Sequence, residues 1–283
     1  MNKGIQLGLE VESSNSKNSR DFGSFLKNTK KILAFTLAET LIVMGIIGVV
    51  AALTIPNLNS STNNQEKVTK VKKIYAELNE AHNRATAVYG PLETWCVSGN
   101  SCRKRYFDRI TEFMKIKKSC RSGGDCMTAT IGRLNFSKTA TAAHASMSSA
   151  NWDNSVILSS GASIYFSIAD SCTLPTSSDY QTGYSSYCGT LYVDIDGPYK
   201  GDSVSSIDVF LFIVTKDGVF PQGGGNKWTD DIQKSVCFSN GKFCTAWVIN
   251  TGNMDYLDVS HSSNAGKCNH SNKTLSTTVT SCK

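Results

Sequence analysis

The chain has 283 residues, 40% of them hydrophobic and 18% charged, enough for one folded domain plus a membrane segment or for two small domains. Its formal net charge is +6, but the basic residues are scattered, with no Lys/Arg-rich block carrying interleaved aromatics, and this argues against nucleic-acid binding. The densest basic group, Lys115, Lys117 and Lys118, reads as a solvated face.

Residues 1–31 are polar, rich in Ser, Asn and Lys, and end in Lys27, Lys30 and Lys31. A polar, basic-ended stretch before an apolar run has the form of a targeting segment held on the cytoplasmic side. Residues 32–55 are almost wholly apolar and long enough to span a bilayer as a helix. One residue is out of place there: Glu39. A carboxylate in hydrocarbon costs several kcal/mol unless it finds a partner, so an acid in such a run marks a functional position.

Pro56 follows the apolar run. It cannot donate an N–H and it kinks helices, yet a membrane-proximal helix can continue past it. From Glu66 the pattern is amphipathic: Val68, Val71, Ile74, Leu78, Ala81 and Ala85 recur at three- and four-residue steps, and Gly90-Pro91 ends the period. A short helix is expected within 106–114 and a surface loop at 137–151. Strands are expected at 162–168, 190–195, 208–215 and 243–249, which are short, aromatic and β-branched. Asp217-Gly218 predicts a tight hairpin turn. Gly223-Gly224-Gly225 is a loop without the strand or helix context of a phosphate cradle. No internal repeat is visible.

All ten cysteines lie after the apolar run: Cys96, Cys102, Cys120, Cys126, Cys172, Cys188, Cys237, Cys244, Cys268 and Cys282. An even, high count on one side of a span predicts disulfides in an exported, oxidised domain. Zinc is the competing reading. It favours Cys pairs two to four residues apart, often with His, whereas these close pairs are wider and His82, His144, His261 and His270 accompany none of them. Pairing sequence neighbours gives five short loops. No G-x-S-x-G, H-E-x-x-H, P-loop or C-x-x-C occurs in the region after the span, and no nucleophile–base pair is legible, so no enzyme activity is expected. Tyr180, Tyr184 and Tyr187 fall in a Ser/Thr/Gly-rich loop. They read either as exposed binding aromatics or as partly buried turn residues.

Suppose the chain is cut between Ala34 and Phe35. A new α-amino group then stands four residues before Glu39, and a positive N-terminus on one subunit meets the acid of its neighbour. Such a desolvated pair sets register more than it adds stability. Residues 30–56, with Lys30/Lys31, Ala34, Phe35, Glu39, the apolar helix and Pro56, resemble the cleavage-and-methylation segment of the type IV pilin and type II secretion pseudopilin family. One position departs from that pattern: the family has Gly before the cut, and here it is Ala34, which puts the speed of cleavage in question. The segments LYVDIDGPYKG, DVFLFIVTKDGVFP and CTAWVINTGNMDYL also look like head-domain segments of some large bacterial pseudopilin-like proteins. In that light Asp194, Asp196 and Asp208 are candidate calcium ligands. The alternative is a turn in which Asp and Gly serve backbone geometry.

The resemblance implies an α+β, pilin-like fold: a long N-terminal helix with a membrane-spanning first half, packed on an antiparallel head with disulfide-stapled loops. It divides the chain into a removed leader (1–34), a transmembrane and filament-core helix (35–61) and a periplasmic or extracellular head (62–283). It implies a structural subunit of a type IV pilus or type II secretion pseudopilus. The partners implied are prepilin peptidase, other pilin-like subunits, the inner-membrane assembly platform and lipid, with no cofactor beyond the candidate calcium. Two simpler readings of 32–55 stay open: an ordinary anchor, or a secretory signal cut near Val50-Ala51-Ala52. Either makes a disulfide-rich binding or adhesion protein that does not polymerise.

Overall fold

A computed structural model of the protein describes residues 36–95, 101–120, 126, 130–132, 143–146, 154–174, 183–198, 200, 203–224, 229–230, 237–238, 241, 243–260 and 265–283. The chain divides into two compact units, Met1–Ile55 and Pro56–Lys283. Helix α1 (Leu37–Tyr89) contributes residues to both, and helical backbone continues through Pro56.

In the first unit the large side chains are exposed around the whole helix. Leu41, Ile42, Val43 and Met44 follow one another, and all four are exposed. A helix that is apolar all round belongs in hydrocarbon or in a protein interior. Among the described residues no helix is long and apolar enough to cross a membrane. The described side chains of this run are 37–52, sixteen residues, against the ~20 that a bilayer core requires; Leu53, Thr54 and Ile55 lie outside the described side chains.

The second unit is α+β. Its sheet is antiparallel throughout: β1 (Ile116–Cys120), β4 (Ser155–Leu158), β5 (Ser163–Thr173), β6 (Tyr187–Asp194), β7 (Val209–Thr215) and β8 (Gly218–Pro221), neighbours in that order. A separate ribbon pairs β2 (Thr130–Gly132) with β3 (Ala143–Ser146). Side chains alternate across a strand, and the register aligns Val156, Ile164, Val193 and Phe210 on one face, with Phe166, Leu191 and Phe212 beside them. That face and the stripe Val68, Val71, Ile74, Leu78, Ala81 and Ala85 of α1 belong to one buried core. Tyr75 stacks on Phe212, ring centroids 5.5 Å apart and 10° from parallel. Helix α2 (Ser101–Thr111) covers β5: Phe107 meets Phe166 edge-on at 5.3 Å, and Arg103 Nε donates to the Ile168 carbonyl at 3.1 Å.

Gly90 takes φ +83° after the last turn of α1, and its N–H donates to the Thr86 carbonyl at 3.0 Å, the left-handed stop that glycine permits. The Trp95 indole donates to the Tyr89 and Gly90 carbonyls, at 3.2 and 3.0 Å. A tight hairpin joins β7 to β8 where it is expected, but one residue earlier: Lys216 and Asp217 form the turn, Thr215 pairs with Gly218, and Gly218 opens β8.

Two expectations fail. Residues 243–249 are not a strand: Thr245–Thr251 is a helix, α3, closed by Gly252 in the left-handed region, whose N–H donates to the Val248 carbonyl. A short apolar run is ambiguous in period, and here Trp247 buries itself against Phe238 at 5.0 Å while Ala246 N–H donates to the Gln222 carbonyl beyond β8. Within the loop expected at 137–151, residues 143–146 form β3, since pairing with β2 satisfies backbone groups that a weakly patterned sequence does not announce; the rest of that stretch lies outside the described residues.

Phe212 is fully buried, and truncating a buried Phe costs about 3–5 kcal/mol. Phe212→Ala is therefore expected to lower the melting temperature of the detergent-solubilised chain by about 6–20 °C. A drop of a degree or two by differential scanning calorimetry would remove the Tyr75–Phe212 contact from the core.

Candidate functional site

At the start of α1, Thr36 and Glu39 hold each other. The Thr36 N–H and hydroxyl donate to Glu39 Oε2 at 2.8 and 2.9 Å, and the Glu39 N–H donates to Thr36 Oγ1 at 3.3 Å. This is a capping box, which satisfies helix N-terminal donors reciprocally. The spacing Thr36-Leu37-Ala38-Glu39 is its mark in the sequence, and it gives the acid a partner inside its own chain. Thr36 is thus a residue that the cost of the acid alone does not reveal. Ala34 and Phe35 lie outside the described residues.

Among the described residues, disulfides join Cys120 to Cys126, Cys172 to Cys188, Cys237 to Cys244 and Cys268 to Cys282. Each joins neighbouring cysteines in the sequence. Cys102 is disulfide-bonded as well, and Cys96 lies outside the described residues. Two of the staples close loops on the sheet, since Cys120 ends β1 and Cys188 lies in β6. Of the loop tyrosines, Tyr184 is buried and donates its hydroxyl to the Pro221 carbonyl at 2.8 Å. Tyr187 is half-buried and shares a hydrogen bond with Thr190 at 3.1 Å. Neither offers an exposed aromatic face, and Tyr180 lies outside the described residues.

The structure gathers Asp194, Asp196 and Asp208 around the turn after β6. The Ile195 N–H donates to the Asp208 carbonyl at 2.9 Å, tying the two ends of the loop together. Asp194 Oδ1 accepts from the Asp196 and Gly197 N–H groups at 3.3 and 3.0 Å, and its Oδ2 accepts from the Ser203 hydroxyl at 2.8 Å. Asp208 Oδ1 accepts from the Val204 N–H. Calcium takes six to eight oxygens; Asp194 and Asp208 turn oxygens toward the protein's own donors, whereas Asp196 Oδ1 is buried without a donor. Among the described residues no group of three or more His, Cys, Asp and Glu is placed to hold a metal ion. Asp194 and Asp208 each accept a backbone N–H of the loop and so help to organise its turn.

Burial sets the protonation of this loop. It pushes Asp194 up to about 7, assisted by the hydrogen bond with Asp196 and opposed by the Ser203 hydroxyl. It pushes Asp208 up to about 6, opposed by the Val204 N–H and by Lys67. The ordinary value of both is 3.8. A raised carboxyl holds its proton in the folded chain at a pH where the unfolded chain has lost it. The stability it contributes is complete below about 4 and is lost as pH rises through about 6 and 7. The melting temperature in chelator-containing buffer is expected to rise as pH falls from about 7.5 to 5, and Asp194→Asn should flatten that dependence. A wild-type curve that instead falls over this window would overturn the assignment.

No family model, no curated protein and no solved structure matches the chain.

Proposed function

We propose that the chain is the precursor of a pilin-like structural subunit, a pseudopilin or minor pilin. A prepilin peptidase removes residues 1–34 on the cytoplasmic side and N-methylates Phe35. The mature subunit stands in the inner membrane with its disulfide-bonded head outside. It then enters a type IV pilus or type II secretion pseudopilus, with the apolar helix as filament core. Polymerisation is the activity, and no reaction is catalysed.

The observation that supports this reading best is the first unit's helix: apolar around its whole circumference, with one acid in its first turn. Among the described residues, and apart from the helix's own backbone, nothing lies within 4 Å of where a Cβ at Gly45 or Gly48 would stand. Small residues of this kind let helices approach closely in lipid. The head's size, beyond that of many major pilins, favours a minor subunit.

One observation favours the rival reading. Because Thr36 already satisfies Glu39, the acid need not find a partner in another subunit, and the protein is then a membrane-anchored, disulfide-rich binding protein. The two readings part at the charge. Gln preserves a capping box but cannot pair with an α-amino group. Under the filament reading, Glu39→Gln and Glu39→Ala both insert and are processed, and both assemble poorly in a pull-down of cross-linked subunits. Normal assembly of Glu39→Gln beside failure of Glu39→Ala would reduce the acid to a helix cap.

Processing is tested first. The protein recovered from native membranes is expected to yield an N-terminal peptide that begins at Phe35 and carries one extra methyl by mass spectrometry. Ala34→Trp should abolish that peptide. A start near Ala51 would make the product an ordinary secreted protein, and an intact Met1 would leave a plain anchor.

A further inference from the structure

Helices α1 and α2 meet at a seam that holds two buried polar atoms without partners. His82 on α1 is 2% exposed, Tyr106 on α2 is fully buried, and their ring centroids stand 6.5 Å apart. Among the described residues neither His82 Nδ1 nor the Tyr106 hydroxyl has a hydrogen bond, and neither reaches solvent. A buried polar group left unsatisfied is costly. The rest of the seat of α2 is apolar: Phe107 meets Phe166, and Tyr106 has Trp95 at 6.1 Å and Phe166 at 6.3 Å. The stripe of α1 offers only Ala81 and Ala85 on either side of His82. The seam is therefore the weak side of that seat.

A neutral imidazole fits this site and an imidazolium does not. Burial alone lowers the His82 pKa from its ordinary 6.5. A charge formed there needs an acid beside it, and the acids around the seam are directed elsewhere. On α1, Glu77 accepts from the Lys115 N–H and Glu80 pairs with Arg84. On α2, Asp108 is only half-buried, and just beyond it Glu112 accepts from the Tyr89 hydroxyl. Glu93, in the turn that carries Trp95, pairs with Lys216. Strand β5 brings Phe166 to the seam, and its acid, Asp170, is exposed. The cations lie at the rim. Arg84 stands over the Phe113 ring and Arg109 over Tyr89 and Trp95. Arg103 donates to the Ile168 carbonyl, Arg105 donates to the Trp95 carbonyl, and Lys104 is exposed.

We propose that His82 is an acid-operated release for α2: a proton on its imidazole drives α2 off α1 and β5 and bares the Tyr106 and Phe107 rings. Cys102, disulfide-bonded at the start of α2, keeps the freed helix tethered. Trp95 stays with α1, because its indole donates to the Tyr89 and Gly90 carbonyls. The closed seat excludes the proton that an open seat takes at about 6.5, so closure is undisturbed above that pH and weakens as pH falls below it. The acids of the β6–β7 loop act oppositely and on the whole head, so the effect of His82 is read locally, at α2. The release acts within the head and holds whether or not the subunit polymerises.

Hydrogen–deuterium exchange of the full chain in detergent micelles, read by mass spectrometry on peptides covering Ser101–Thr111, tests this. After correction for intrinsic exchange, protection of α2 is expected to fall about tenfold between about pH 7 and about pH 5, within the ~30-fold that one ordinary imidazole can supply. Protection of β6 and β7 should not fall. His82→Gln and His82→Phe should each abolish the pH dependence of α2, whatever protection they start from. Asp108→Asn and Glu112→Gln should retain it. Equal protection of α2 at the two pH values, the same fall in His82→Gln and His82→Phe, or its loss in Asp108→Asn or Glu112→Gln would each overturn the proposal.

Discussion

The head depends on one contact surface: the stripe Val68–Val71–Ile74–Leu78–Ala81–Ala85 against the apolar face of the sheet. Both partners are required by their own chemistry. A helix with this period must bury one side, and a meander whose strands carry Ile164, Phe166, Leu191, Val193, Phe210 and Phe212 on one face must cover it. The stripe ends in two alanines, and there the helix meets α2 instead of the sheet: His82 is buried beside Tyr106, ring centroids 6.5 Å apart. The aromatic series continues through Tyr106, Trp95 and Phe166, so that α2 is fixed by the same core.

Much of this architecture can be read in the residues. The helical period after Glu66, the stop at Gly90 and the existence of the β7–β8 hairpin, though not its exact turn residues, rest on local rules, and local rules suffice where one face is polar and the other apolar. Strand β7 is legible for another reason: Val209–Thr215 is buried at every position, and an unbroken β-branched and aromatic run has that form. The same composition misleads at Thr245–Thr251. There the run is short, and only Gly252 behind it and Trp247 within it decide for a helix. The bulge in β1 at Lys117, where Ile116 pairs with Leu158 and Lys118 with Ile157, has no local signature, because it is a property of the pairing with β4 and not of either strand alone. The burial of Asp194 is also invisible in the residues. An Asp before a Gly-containing turn is ordinarily solvated, and here the fold closes over it.

The acid of the apolar helix shows how one residue can satisfy two constraints. Viewed as a charge in hydrocarbon, Glu39 requires a cationic neighbour. Viewed as the third residue of a helix, it requires Thr36 at its N-cap, and that pair is formed. The two demands do not compete for the same atoms. The hydrogen bonds from Thr36 go to Oε2, and among the described residues none is made to Oε1. The cap also turns the carboxylate toward the helix N-terminus, where the backbone N–H groups carry partial positive charge. A mature N-terminus at Phe35 would enter that same region. Capping therefore fixes where the carboxylate stands and does not by itself decide whether a second chain meets it.

Covalent staples and noncovalent packing are divided along the chain. No cysteine precedes Cys96, so α1 carries none, and it is held to its head by burial, by hydrogen bonds from the Tyr89 hydroxyl to Glu112 and from the Lys115 N–H to Glu77, and by Arg84 over the Phe113 ring. The four described disulfides all lie beyond it, closing loops between Cys120 and Cys282. Fully burying a Val, Leu or Ile side chain contributes about 1.5–3 kcal/mol, so Val68, Val71, Ile74 and Leu78 together are worth an amount comparable with the ~5–15 kcal/mol net stability of a whole domain. That comparison decides what happens under load. A pull on the helix cannot peel it from the sheet at small cost, because exposing the stripe also exposes the face of the sheet that it covers. The helix leaves only when the head unfolds. The disulfides restrain what unfolds, since they keep the loops closed in the detached state and limit the entropy gained there. Force applied to the helix is thus transmitted through packing, while the loops are closed by covalent bonds that do not depend on it.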